Sequence, residues 1–266
     1  MRWAVPLTLA APFLDATVTH GAGMLAPMPT PTQRVVRRRA GAAHLLVAGL
    51  VVWAASGCGG VGQPAPYESL GIDGLTIPTP TPDPDDFEAS IDNPWLPLTP
   101  GSTWRYDVSD DSTTIGSIET EVLADTTEIA GLVATQVRTT TVIDGVEETS
   151  TRFYAQDEAG NVWWVGEDSR AITWRAGERG AEAGLAMPRF PRLGDGWRSY
   201  AVDGLPQASA RVEHQGREMV QTSVRHGKSA AADATTRDFY QSGVGLVGVE
   251  ELGSGRQIDL VDHRAG

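Results

Sequence analysis

The chain of 266 residues contains one cysteine, Cys58. No disulfide can form within it, and one thiol cannot build a cysteine-rich zinc site. Lysine is almost as scarce: of 21 basic residues only Lys228 is a lysine. Five histidines are present, and only His214, His226 and His263 follow Cys58. No His-Glu-x-x-His pair occurs, so zinc hydrolysis of that kind has no ligands. No Gly-x-Ser-x-Gly marks a serine nucleophile, because Gly253-Ser254-Gly255 is too short. The glycines at 177–184 fit no strand–loop–helix pattern, so no phosphate-cradling loop is read there. The longest uncharged apolar stretch, from Gly41 to Ala55, falls short of the roughly 20 residues a bilayer-crossing helix needs.

That stretch has a recognisable setting. Arg34, Arg37, Arg38 and Arg39 precede it, and Ala55-Ser56-Gly57-Cys58 ends it. A basic cluster, a short apolar segment and small residues before a cut are the parts of a signal peptide, here 34–57. The ending resembles the lipobox of bacterial lipoproteins, with Ala55 where Leu is usual. The resemblance implies that Cys58 is acylated on its thiol and becomes the N-terminus after cleavage behind Gly57. Two or three acyl chains hold a protein on a membrane, since each buried methylene contributes about 0.8 kcal/mol. The expected address is the extracytoplasmic face of the cell membrane, lipid-anchored through Cys58. Residues 1–33 are set aside as an N-terminal extension, with Met24 and Met28 as candidate true starts.

The net charge is −13, and it grows more negative without the leader. Residues 58–266 carry 16 basic and 33 acidic side chains. Such a surface repels nucleic acid and anionic headgroups. Residues 58–86 read as a stalk: Ile77-Pro78-Thr79-Pro80-Thr81-Pro82-Asp83-Pro84 cannot form a helix or a central strand.

From 87 to 266 the pattern is that of a mainly β, single antiparallel domain, an open or half barrel or a sandwich. Trp104-Arg105-Tyr106-Asp107-Val108 alternates apolar and polar residues. Asp144-Gly145 between Thr- and Val-rich runs predicts a hairpin with a type I′ turn. Asp157-Glu158-Ala159-Gly160-Asn161 predicts a second. Later strands are expected at 197–202, 208–214, 217–226, 235–241, 244–251 and 256–262. Residues 174–196, with five glycines and two prolines, read as one long loop.

Several blocks resemble a family of bacterial secreted or lipid-anchored proteins. Asn93-Pro94-Trp95-Leu96-Pro97-Leu98-Thr99-Pro100-Gly101-Ser102-Thr103-Trp104 is similar to its opening. Tyr154-Ala155-Gln156-Asp157 with Gly160-Asn161-Val162-Trp163, then Met187-Pro188, and Tyr240-Gln241-Ser242-Gly243-Val244-Gly245-Leu246-Val247 follow in order. The resemblance spans most of 92–252. It implies the domain boundaries and the extracytoplasmic address, and it supplies no activity.

Trp163 and Trp164 point to opposite faces of one strand. With Trp174, Trp197 and Tyr154 they form a candidate groove for a lipid, glycan or peptide; the alternative is that all fill the core. The Asp157–Asn161 turn offers oxygen ligands but lacks the rest of a calcium loop. Glu167 and Asp168, with Glu158 or Asp157, are the candidate carboxylate pair of an envelope-polymer hydrolase. No metal or cofactor is expected. The leading expectation is a non-catalytic binding or carrier module; a hydrolase and a structural surface protein are the alternatives.

Overall fold

The computed structural model describes Thr79, 82–227 and 235–266. Cys58, the leader and most of the stalk lie outside the described residues. A 3-10 turn at Pro84–Asp86, with Asp83 as its N-cap, leads into fifteen strands. They are β1 (Phe87–Glu88), β2 (Thr103–Asp110), β3 (Thr113–Ile129), β4 (Leu132–Ile143) and β5 (Val146–Asp157). Then come β6 (Val162–Asp168), β7 (Thr173–Arg175), β8 (Glu182–Met187), β9 (Gly196–Arg198) and β10 (Tyr200–Ala201). The last are β11 (Ala208–Gln215), β12 (Met219–His226), β13 (Thr235–Gln241), β14 (Gly245–Glu251) and β15 (Gln257–Arg264).

The hairpin signals act where the sequence places them. Asp144 and Gly145 both have positive φ, +50° and +77°, and join β4 to β5. Asp111-Ser112 and Ala130-Gly131 make the same kind of turn without a Gly-rich signature, Ala130 at φ +52°. In β2, Trp104, Tyr106 and Val108 are buried while Arg105 is exposed, the alternation of a strand with one face on the core.

Two antiparallel meanders make up the sheet. The first runs β2-β3-β4-β5-β6-β8; the second runs β11-β12-β13-β14-β15. They meet edge to edge where β15 pairs β2. Their other edges are joined by the segment 196–201: β9 pairs β11, and two residues later β10 pairs β8. Ser199 lies between them and donates its N–H to Ala208. The result is a nearly closed, barrel-like antiparallel sheet. Closure leaves few unpaired edges.

The stretch 174–196, expected as one loop, contains β8, with Ala183, Gly184 and Leu185 buried in it. Its glycines are not all breakers. Gly177 and Gly180 have positive φ and turn the chain, whereas Gly184 has ordinary strand geometry. A Cβ on Gly184 would strike the backbone of Ser199 and Tyr200, so this glycine lets the closing segment lie against β8.

The end of the Pro-rich segment is seated on the same unit. Thr79 exchanges two backbone hydrogen bonds with Ala183, at 2.8 and 2.9 Å. The Pro84 side chain lies beside Gly131, and the Asp86 carbonyl accepts from the Glu158 N–H. Asn93 is fully buried and ties the following turn down. Its Oδ1 accepts from the Trp95 and Leu96 amides, and its Nδ2 donates to the Gly160 carbonyl at 2.8 Å.

Candidate functional site

Strand alternation brings a polar cluster into the interior. On β5, Arg152 and Tyr154 are two residues apart and share a face. On β13, Asp238 and Tyr240 repeat that spacing with the opposite charge. The first pair reaches the interior from one meander and the second pair from the other. Both pairs line a cavity of about 80 Å³, together with Trp164, Trp197, Ser199, Thr222, Met187, Leu246 and smaller groups. A second cavity of about 40 Å³ also has Arg152 and Tyr154 in its wall and extends toward Tyr106, Thr120 and Thr139. Pockets for drug-sized ligands are several times larger, at roughly 300–1,000 Å³.

Arg152 is the centre of the cluster. Glu167, its cross-strand partner on β6, is fully buried, and the Arg152 Nε stands 3.4 Å from its Oε2. The guanidinium lies 4.8 Å from the centre of the Trp164 ring. Burial opposes the charge on Arg152, but Glu167 and Tyr154 more than offset it and its pKa is raised. Burial raises the pKa of Glu167, with Arg152 pulling the other way. One glutamate oxygen, Oε1, has no donor in hydrogen-bond geometry.

Three further groups titrate unusually. Burial pushes Asp238 up to about 6, against the hydrogen bond from Thr236 (2.7 Å) and the charge of Arg152. Burial, helped by the charge of Arg152, pushes His226 down to about 4. Burial pushes the Tyr200 hydroxyl up to about 12. Tyr154 and Tyr240 are raised for the same first reason. At neutral pH the phenols are therefore uncharged hydrogen-bonding groups.

The aromatic residues expected to form a groove divide into two sets. Tyr154, Trp164 and Trp197 line the larger cavity. Trp174 does not; it packs on Trp164 and Tyr200 at 5.7 and 6.1 Å between ring centres. Trp163 faces away from the cavity, 6.4 Å from Phe87, with its Nε1 donating to Asp157 at 2.8 Å. All four tryptophans are buried.

The candidate carboxylates are dispersed and engaged. Asp157 accepts from the Asn161 backbone, the Asn161 amide and Trp163, and so clamps the β5–β6 turn. Asp168 is paired with Arg175 at 2.7 and 2.9 Å. Glu167 is held by Arg152, and Glu158 is exposed. Among the described residues no group of three or more His, Cys, Asp or Glu could hold a metal ion.

Arg152, Asp238 and Tyr240 were not singled out by sequence reasoning. The signal available was an ionisable residue at an inward position of an alternating strand, two residues before a tyrosine, occurring twice. A charged residue at a core position is the informative exception in a β pattern.

No protein-family model matches the chain, and neither does any curated protein. Two solved structures resemble it. One is from Bacteroides fragilis, described as an exported protein with a YmcC-like fold; it is 10% identical, with a TM-score of 0.39, over 64% of this chain and 99% of that one. The other, from Parabacteroides distasonis, is described as a lipoprotein; it is 9% identical, with a TM-score of 0.29, over 64% of this chain and 98% of that one.

Proposed function

We propose that this protein is a lipid-anchored cell-envelope lipoprotein whose β domain is a non-catalytic binding module. The anchor reading rests on the sequence around Cys58. The observation that carries the binding reading is the interior cavity itself. Its wall combines a buried arginine, a carboxyl group, phenols and indoles, where a purely structural barrel would close over aliphatic side chains. The carboxylates a glycosidase would need are each committed to an ion pair, a turn or the surface, which weighs against the hydrolase alternative.

Native mass spectrometry of the protein extracted from membranes tests this reading. A non-covalent small molecule that remains after the acyl mass is accounted for would support it. A clean mass, with no stabilisation by any compound of a small-metabolite panel, would favour the structural surface protein instead.

A further inference from the structure

We infer that the larger interior cavity is a site for a small primary ammonium with a short apolar tail, its charge set against Asp238. This rests on the binding-module reading and specifies its ligand. The first ground is an imbalance of charge. Among the described buried residues Arg152 is the only arginine, while Glu167 and Asp238 are both acids. Arg152 forms its ion pair with Glu167, and the two charges cancel. Asp238 accepts from the Thr236 hydroxyl at 2.7 Å, and Arg152 acts on it through its field rather than by an ion pair. Alternation on β13 turns Asp238 inward, where it lines the cavity. With its pKa raised to about 6, it is mostly ionised at neutral pH. A buried charge calls for a counter-charge, and the described residues leave this one without a partner of its own.

The second ground is the rest of the wall. Tyr154, Tyr240, Ser199 and Thr222 line the same space, and a hydroxyl oxygen can accept a hydrogen bond. An alkylammonium brings three N–H donors and no acceptor. Trp164 and Trp197 are also in the wall, and aromatic rings attract a desolvated cation. Leu96, Met187 and Leu246 supply an apolar side for the tail, and the volume admits only a few heavy atoms. Arg152 lines the space too, but Glu167 offsets its charge, so the interior as a whole stays negative.

The test is calorimetric titration of the full-length, membrane-extracted protein with butylamine, butanol and butyrate at neutral pH and physiological salt. Butylamine should bind saturably and several-fold more tightly than butanol, and butyrate should not bind. Asp238→Asn keeps the shape and removes the charge. It should erase the preference for butylamine over butanol, which a merely structural role would leave in place. Glu158→Gln, at an exposed acid, should leave the titration unchanged and so separates the cavity from the acidic surface. If Asp238→Asn does not fold, Tyr240→Phe should weaken butylamine binding several-fold by removing an acceptor from the wall. A preference that survives Asp238→Asn, or butanol or butyrate binding as tightly as butylamine, would overturn the ammonium assignment and leave the binding module standing. Silence from all three probes would overturn the site, and the mass measurement above would then decide the module separately.

Discussion

The guanidinium of Arg152 lies 4.8 Å from the centre of the Trp164 ring, within the wall of a nearly closed sheet. Cation–π contact is worth about 2 kcal/mol when desolvated, less than the cost of burying an unpaired charge. Glu167, from the neighbouring strand, is therefore what keeps Arg152 charged. Arg152 so held also lines the cavity.

That relationship has a direct test. Arg152→Met and Glu167→Gln each break a buried pair, which typically costs about 3–5 kcal/mol. The double variant should cost less than the sum, because no lone charge is left behind. Urea denaturation of the four proteins measures the coupling. Strict additivity would mean the two groups do not interact.

The closing seam depends on Gly184. Gly184→Ala puts a methyl group into the Ser199 and Tyr200 backbone, and overpacking of that kind costs about 1–3 kcal/mol. Gly196→Ala, whose nearest neighbour is the Ala210 carbonyl at 3.5 Å, should be tolerated much better. The urea midpoints of the two variants separate a steric seam from a general intolerance of the segment.

Asp238 and His226 oppose each other in acid. The folded-state pKa of Asp238 is raised from 3.8 to about 6, so the folded protein binds its proton more tightly. Stability from this group falls as pH rises from about 4 to about 6. His226 is lowered from 6.5 to about 4, so the unfolded chain binds its proton more tightly. Stability from this group rises with pH across about 4 to 6.5 and is complete above that range. Asp238→Asn should make the stability–pH slope more positive between pH 4 and 6, and His226→Gln should make it more negative. Thermal melts across that window give both slopes.

The end of the Pro-rich segment should matter for stability. Deleting 79–86 removes the two Thr79–Ala183 hydrogen bonds and the Asp86–Glu158 one, at about 1 kcal/mol each. A loss of roughly 2–3 kcal/mol in chemical denaturation is expected. An unchanged midpoint would mean these contacts contribute nothing and the stalk extends to the first strand.

Cys58→Ala should move the protein from the membrane fraction to the soluble fraction of fractionated cells. Loss of the thiol removes the acylation site and with it the attachment. Retention in the membrane would mean that something other than a lipid on Cys58 holds it.

The strands were legible because their chemistry is local. Trp104, Tyr106 and Val108 show a buried face by alternation alone, and Asp144-Gly145 shows a turn because few residues accept positive φ twice in succession. Strand β8 was hidden because Gly184 and the glycines before it, Gly177 and Gly180, look like breakers in a one-dimensional reading. Gly184 is there for a neighbour that the sequence does not show. The site was half legible. Tyr154, Trp164 and Trp197 stand out as large aromatics, but so do Trp163 and Trp174, and nothing local tells a cavity wall from a packed core.

The sequence by itself determined the β class, most of the strand limits and the faces of each strand, since a period of two and a short list of turn residues encode them. The expectation of a lipid anchor at Cys58 also rests on it alone. Only the tertiary structure decided that β15 pairs β2, that 196–201 bridges the two remaining edges, and that Arg152 and Asp238 share one cavity. The physical reason is that alternation specifies which side of a strand is buried and not which strand lies beside it. Partners are chosen by long-range packing, and the interior exists only once the sheet has curled upon itself.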